Sequence, residues 1–171
     1  MKEIELKILE INVKDIRKKL LSHGATKTET VNIHALHFDY PDLRLKKNKE
    51  LLRLRKVGER TELCFKSKSK AGKFRNADEI QSKVDDFKST KELFQRLGFI
   101  IRSESKKTRE SYQNGKVHFE IDTFPEIPSF LEIEGPSEEE IQKWVEKLGY
   151  RMAQTSTMTG GEVTEYYQKK K

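Results

Sequence analysis

At six places along the chain, like-signed charges recur two residues apart: Glu3/Glu5, Arg53/Arg55, Lys66/Lys68, Lys107/Arg109, Glu120/Asp122 and Glu132/Glu134. Most alternate with apolar residues, as in Ile4/Leu6/Ile8, Leu52/Leu54, Leu63/Phe65, Phe119/Ile121 and Leu131/Ile133. In a strand, residues i and i+2 point to one side, so each segment reads as a strand with one apolar and one charged face. For a single strand a solvated face is the simpler explanation. Like charges repeated over six strands repel, and a solvated face normally mixes signs and neutral polar residues. The repetition points to a sheet that curls or closes, with charged faces turned in on a wet lumen and apolar faces covered by helices.

The remaining punctuation agrees with such a sheet. Strand-like segments cover 2–11, 26–40, 50–57, 60–68, 77–86, 99–113, 116–124 and 129–135, with turn signals at Val57-Gly58-Glu59, Ala71-Gly72 and Gln113-Asn114-Gly115. Three helices are expected. Asn12 caps one through Ile16, Leu20 and Leu21 that ends at Gly24, and Ser89 or Thr90 caps one through Leu93, Phe94 and Leu97 that ends at Gly98. Ser137, with acids after it, opens the third, whose apolar stripe is Ile141, Trp144, Val145 and Leu148 and whose stop is Gly149.

A chain of 171 residues fits one domain, 1–171, and can bury a core. Charged residues (37 %) outnumber hydrophobic ones (34 %), so the charges need places beyond an ordinary surface. The net charge of +7 favours polyanionic ligands. Cys64 is the only cysteine, which excludes a disulfide framework and a thiolate zinc site. No apolar run approaches a membrane span, and the N-terminus lacks a signal-peptide core, so a cytoplasmic protein without membrane partners is expected.

A charged lumen would bring Glu3, Glu5, Glu120, Asp122, Glu132 and Glu134 together as hard oxygen ligands suited to Mg²⁺ or Mn²⁺, facing Arg53, Arg55, Lys66, Lys107 and Arg109. That combination suits a metal-bound polyphosphate. A triphosphate carries about four negative charges, so desolvating it takes several cations, and carboxylates approach it only through bridging metal.

On these residues the chain resembles the CYTH superfamily, also called triphosphate tunnel metalloenzymes, which includes class IV adenylate cyclases, thiamine triphosphatases and inorganic triphosphatases. The resemblance begins at Glu3-x-Glu5-x-Lys7 and continues through "HFDYPDLRLKKNKELLRLRK" (Arg53, Arg55), "ELCFKSK" (Lys66), "KKTRESY" (Lys107, Arg109), "FEIDTF" (Glu120, Asp122) and "FLEIEG" (Glu132, Glu134). It implies an α+β fold built on a closed or nearly closed eight-stranded antiparallel β-barrel, a tunnel with a charged lumen and helices outside. It also implies that Lys7, Arg53, Arg55, Lys66, Lys107 and Arg109 bind phosphate. Glu3, Glu5, Glu132 and Glu134 then lie nearest the metal, and Glu3, Glu5 and Lys7 are the catalytic candidates. The family's Arg-x-Glu-x-Glu strand is matched only loosely, since Arg75 and Glu79 are spaced differently and Gln81 replaces the second acid. Glu79 enters as a further candidate.

Other constellations read as structural. His34 and His37 lie three apart in a strand and face opposite sides, which argues against a metal pair. Ser103 and Ser105 fit a strand end, and Trp144 fits a helical core stripe. "STMTGGEVTEYYQKKK" reads as a loop and a docked tail.

The expected function is a Mg²⁺- or Mn²⁺-dependent enzyme acting on a small triphosphate, hydrolysing the terminal phosphate of inorganic triphosphate, thiamine triphosphate or a nucleoside triphosphate. The alternative is an adenylate cyclase releasing cyclic AMP and pyrophosphate from ATP. A polyphosphate or RNA binder without catalysis would need only basic residues, and the paired acids argue against it and against nucleic acid as partner. A monomer or homodimer is expected.

Overall fold

The computed structural model describes residues 4–68 and 77–170. Glu3, Arg75 and the Ala71-Gly72 turn lie outside the described residues. The chain forms two compact units, one of residues 1–30 and 108–171 and one of residues 31–107.

The first unit contains β1 (Ile4–Ile8), α1 (Val13–Ser22), the start of β2 (Thr26–Asp39) and the second half of β6 (Ile100–Asn114). It continues with β7 (Val117–Thr123), β8 (Phe130–Gly135), α4 (Glu138–Lys147), β9 (Thr155–Ser156) and α5 (Gly160–Gln168). Asn12 caps α1 by accepting from the Lys14 and Asp15 amides, and Ser137 caps α4 through the Glu140 amide. Both caps follow from their sequence signals. The exit of α1 needs Gly24, whose φ of +81° is the left-handed region that side chains avoid. Ile16 and Leu20 of α1 and Ile141, Trp144 and Val145 of α4 pack over Leu6, Ile8, Phe119, Ile121, Leu131 and Ile133. These strand residues are the apolar alternates of the charged positions, so helices cover the apolar face as expected. Trp144 stacks edge-on to Phe119 with ring centres 4.6 Å apart, which makes it a core residue. Gly135 admits α4 closely, since a Cβ there would meet Ile141 Cγ1 at 3.0 Å.

The C-terminal "STMTGGEVTEYYQKKK" forms more than a loop and tail. Thr159 and Glu162 make a reciprocal capping box that starts α5. Its Val163 and Tyr167 bury against Ile127 and Phe130, with Leu9, Phe124 and Met158 around them. The Tyr167 hydroxyl donates to Glu10 Oε1 at 2.7 Å.

The second unit contains the rest of β2 and of β6, with α2 (Arg44–Lys47), β3 (Leu51–Val57), β4 (Arg60–Lys68), β5 (Ala77–Val84) and α3 (Phe87–Arg96). Its core is Leu36, Phe38, Leu45, Leu52 and Leu54, packed with Phe87, Phe94 and Phe99. The cap of α3 is Asp86, three residues before the expected Ser89 and four before Thr90, and it accepts from the Ser89 amide at 2.6 Å. Of the expected stripe only Phe94 joins the core, and Leu93 and Leu97 stay 56 % and 63 % exposed. Phe87, gained by the earlier start, takes their place against the sheet.

The strands form one antiparallel sheet in the order β5-β4-β3-β2-β6-β7-β8-β1-β9. Nine strands replace the eight read from sequence because Thr155 and Ser156 pair with Ile8 and Lys7. Among the described residues no hydrogen-bonded ladder joins β5 to β9, so pairing does not close the sheet. No described helix is long and apolar enough to cross a membrane.

Candidate functional site

In the first unit the register sets acids against acids. Glu5 lies opposite Glu134, and Glu120 opposite Glu132, whose other neighbour is Lys7. Arg109 lies opposite Asp122. Opposed residues and residues two apart share a face, so five carboxylates (Glu5, Glu120, Asp122, Glu132, Glu134) meet there with Lys7 and Arg109. Exposed His118, opposite Glu134, belongs to the same row. Sequence reading passed over it, although its place two before Glu120 was a usable signal.

The two cations are held firmly by these acids. Lys7, 1 % exposed, donates to Glu132 Oε2 at 2.8 Å and to Glu5 Oε1 at 3.2 Å. Burial alone would lower its pKa, but the charges of Glu132 and Glu5 outweigh burial and raise it, so it stays ammonium. Arg109 donates from Nε and Nη2 to the two Asp122 oxygens at 2.7 and 2.8 Å and also pairs with Glu120. Its Nη2 is 4.0 Å from Glu132. Burial pushes the Glu132 carboxyl up, and Lys7 and Arg109 more than reverse that, holding it ionised below the usual range.

This donor set suits Mg²⁺ or Mn²⁺: it is all carboxylate oxygen, with three more acids than bases, and two Glu–Glu pairs stand directly opposed. Among the described residues no group of three or more His, Cys, Asp or Glu side chains is placed to hold a metal ion, and Lys7 and Arg109 are bonded among the acids.

In the second unit Arg53 lies opposite His37 and Cys64, Arg55 opposite Ala35 and Glu62, and Lys66 opposite Glu79. Arg55 Nε donates to Glu62 Oε2 at 2.7 Å, and Lys66 Nζ lies 2.6 Å from Glu79 Oε2. Glu79 is pushed up by burial and pulled down further by Lys66, so it is an ion-pair partner on the basic face. Buried Cys64 donates to Glu79 Oε1 at 3.1 Å, and burial with that bond pushes its pKa up to about 11, which makes it a poor nucleophile. His34 and His37 separate as expected: His34 bonds Glu104 and His37 bonds Ser103. Burial, then Arg53, Arg102 and Lys107, lower the His37 pKa to about 4.

Alternation places Glu62 with Cys64 and Lys66 on this face, and the register bears that out. Sequence reading missed His37 as a member of the face and Arg102 as a charge that acts on it. For His37 and Arg102 the signal is cross-strand register, which one sequence does not display.

Fold and side chains together define an α+β protein whose antiparallel sheet carries an acid-rich face in one unit and a basic face in the other. The chain belongs to the CYTH domain family, whose sequence model matches residues 1–159. The PH1012 protein of Pyrococcus horikoshii is similar in structure at a TM-score of 0.80 and 25 % identity, covering 94 % of this chain and 98 % of its own. A candidate adenylate cyclase of Vibrio parahaemolyticus is similar at a TM-score of 0.82 and 15 % identity, covering 96 % and 98 %. HpAC1 of Hippeastrum, a candidate adenylyl cyclase described as having a dominant triphosphatase activity, is similar at 0.71 and 16 %, covering 100 % and 97 %. The last two likenesses speak for the fold alone. No curated protein matches the chain.

Proposed function

We propose that the chain, acting as a single domain over 1–171, is a divalent-metal-dependent enzyme that hydrolyses the terminal phosphate of a small triphosphate. The observation that carries the reading is the face on which five carboxylates meet two cations, with Glu5 against Glu134 and Glu120 against Glu132. Such a face is costly by itself and becomes favourable when a divalent cation neutralises it. Glu5, Glu132 and Glu134 would hold the metal, with Glu3 beside them in sequence and Glu120 and Asp122 on the neighbouring strand. When bound, Mg²⁺ or Mn²⁺ supplies charge neutralisation at phosphate oxygens.

The chain's own residues do the rest. Lys7, kept charged by Glu132 and Glu5, donates to phosphate oxygen from a fixed position. Arg109 is oriented by both Asp122 oxygens and keeps further donors for the same anion. Within the second unit Arg53, Arg55, Lys66 and Lys107 are the phosphate-binding candidates, with Glu62 and Glu79 fixing the Arg55 and Lys66 side chains. Glu5, with Glu3 as the candidate the sequence pattern adds, orients the attacking water in line with the terminal phosphorus. Membership of the CYTH domain family supports the substrate class.

The test is a panel of inorganic triphosphate, thiamine triphosphate and ATP, each with Mg²⁺ or Mn²⁺, scored for orthophosphate, pyrophosphate and cyclic AMP. Metal-dependent orthophosphate release is the expected result. Cyclic AMP with pyrophosphate would replace the hydrolase with a cyclase, and no turnover on any substrate would leave only a binder.

A further inference from the structure

The cations of the second unit are not compensated alike. Arg55 and Lys66 each have a carboxylate within 2.7 Å. Arg102 is partly buried, and its buried Nε finds no hydrogen-bond acceptor among the described residues. A buried guanidinium nitrogen without an acceptor is costly, and its common explanation is a ligand, ion or water that completes it. Arg102 acts on His37 together with Arg53 and Lys107.

The groups around the His37 ring come from two strands. β3 contributes Arg53, directly opposite, and β6 contributes Arg102, Lys107 and Ser103, whose Oγ is 2.9 Å from His37 Nδ1. The nearby acids are engaged elsewhere. Asp39, on His37's own strand, accepts from the Tyr40, Leu45 and Lys46 amides, and Glu104 of β6 bonds His34. Among the described residues no carboxylate acts on the ring, which is held neutral at pH 7 with a pKa of about 4. A Ser–His nucleophile pair is the other chemistry this contact permits, but an imidazole held that low is a weak base.

We propose that His37 and Arg102 form an anion subsite in the second unit, and that His37 takes up a proton from solvent when a polyphosphate binds there. The proposal rests on the triphosphate reading and goes beyond it: binding becomes proton-linked, and a neutral imidazole becomes a further phosphate donor. Three cations repel a proton from the ring, and an anion among them reverses the sign of the local field. Once protonated the ring carries a hydrogen on both nitrogens, so with Nδ1 against Ser103 Oγ the Nε2–H donates to a phosphate oxygen. A ring that is neutral when no anion is bound also spares the cluster a fourth positive charge.

The test uses the wild-type protein and inorganic triphosphate without added metal. Binding is measured by calorimetry, and the ring of each of the four histidines is titrated by NMR in the same samples, with His37 assigned by its missing signal in His37→Gln. The expected result is binding, with the His37 midpoint rising by about one pH unit or more. Arg102→Gln should weaken triphosphate binding about tenfold, a charge-assisted contact's worth. Binding with an unmoved His37 midpoint overturns this inference and leaves the triphosphate reading intact. Where no binding is seen without metal the same titration is repeated with Mg²⁺, and absence of triphosphate binding under both conditions overturns both.

Discussion

Lys7 shows at the scale of one residue what the alternation of charge achieves. Its ammonium is almost fully buried and held between Glu132 and Glu5. Lys7→Met keeps the volume and strands Glu132 without its nearest cation, so stability should fall by about 3 kcal/mol in urea denaturation, the cost of breaking one side of a buried pair. An unchanged midpoint would mean the pair adds nothing. His37 makes the opposite kind of statement. Its folded pKa near 4 lies below the ordinary 6.5, so between these values the unfolded chain binds more protons. Its contribution to stability is complete above pH 6.5 and is lost as pH falls through 4. His37→Gln should therefore flatten the stability–pH curve between pH 4 and 6.5 relative to wild type, measured by denaturation at a series of pH values. The parity of Glu5 and Lys7, and of Glu132 and Glu134, was legible because side chains alternate with a period of two. What His37 faces was not, because the Arg53 opposite it is set by strand register rather than by sequence neighbours.

At the scale of elements, helix α1 and strand β6 are tied by a buried carboxylate. Glu110 is 5 % exposed, accepts from Arg17 Nε at 2.9 Å and lies 3.1 Å from Lys27 Nζ. Hydrogen bonding from Arg17 is the main reason its pKa falls to about 2 from 4.5. A depressed carboxylate stabilises above its unfolded value, so this tie is complete above pH 4.5 and is lost as pH falls toward 2. Glu110→Gln should remove that part of the acid unfolding curve. Helix α3 gives a second check: Asp86→Ala should cost about 1 kcal/mol and Ser89→Ala much less, because Asp86 supplies the cap. Here sequence reading went astray for a definable reason. Asp86, Ser89 and Thr90 are all good caps, and Phe87 decides among them by burying its ring beside Phe94 and Phe99. Helices α1 and α4 were read correctly because each has one strong cap before its apolar stripe. The C-terminal helix α5 was not, since its stripe in "GGEVTEYYQ" offers only Val163 and Tyr167 as buried anchors.

At the scale of the molecule, the net charge of +7 conceals a partition. Acids exceed bases on the described charged face of the first unit, and Arg53, Arg55, Lys66, Arg102 and Lys107 gather in the second. A cation that binds only the folded state stabilises it by mass action, so Mg²⁺ or Mn²⁺ should raise the thermal midpoint and a chelator should reverse the gain. The central claim is that the carboxylates of the acid-rich face hold the metal on which turnover depends. The most direct measurement takes wild type and Glu5→Ala side by side, following Mn²⁺ binding by electron paramagnetic resonance and phosphate release from inorganic triphosphate. Wild type should bind Mn²⁺ and turn over only with metal present, and Glu5→Ala should lose both. Mn²⁺ binding and turnover left intact in Glu5→Ala would contradict the account.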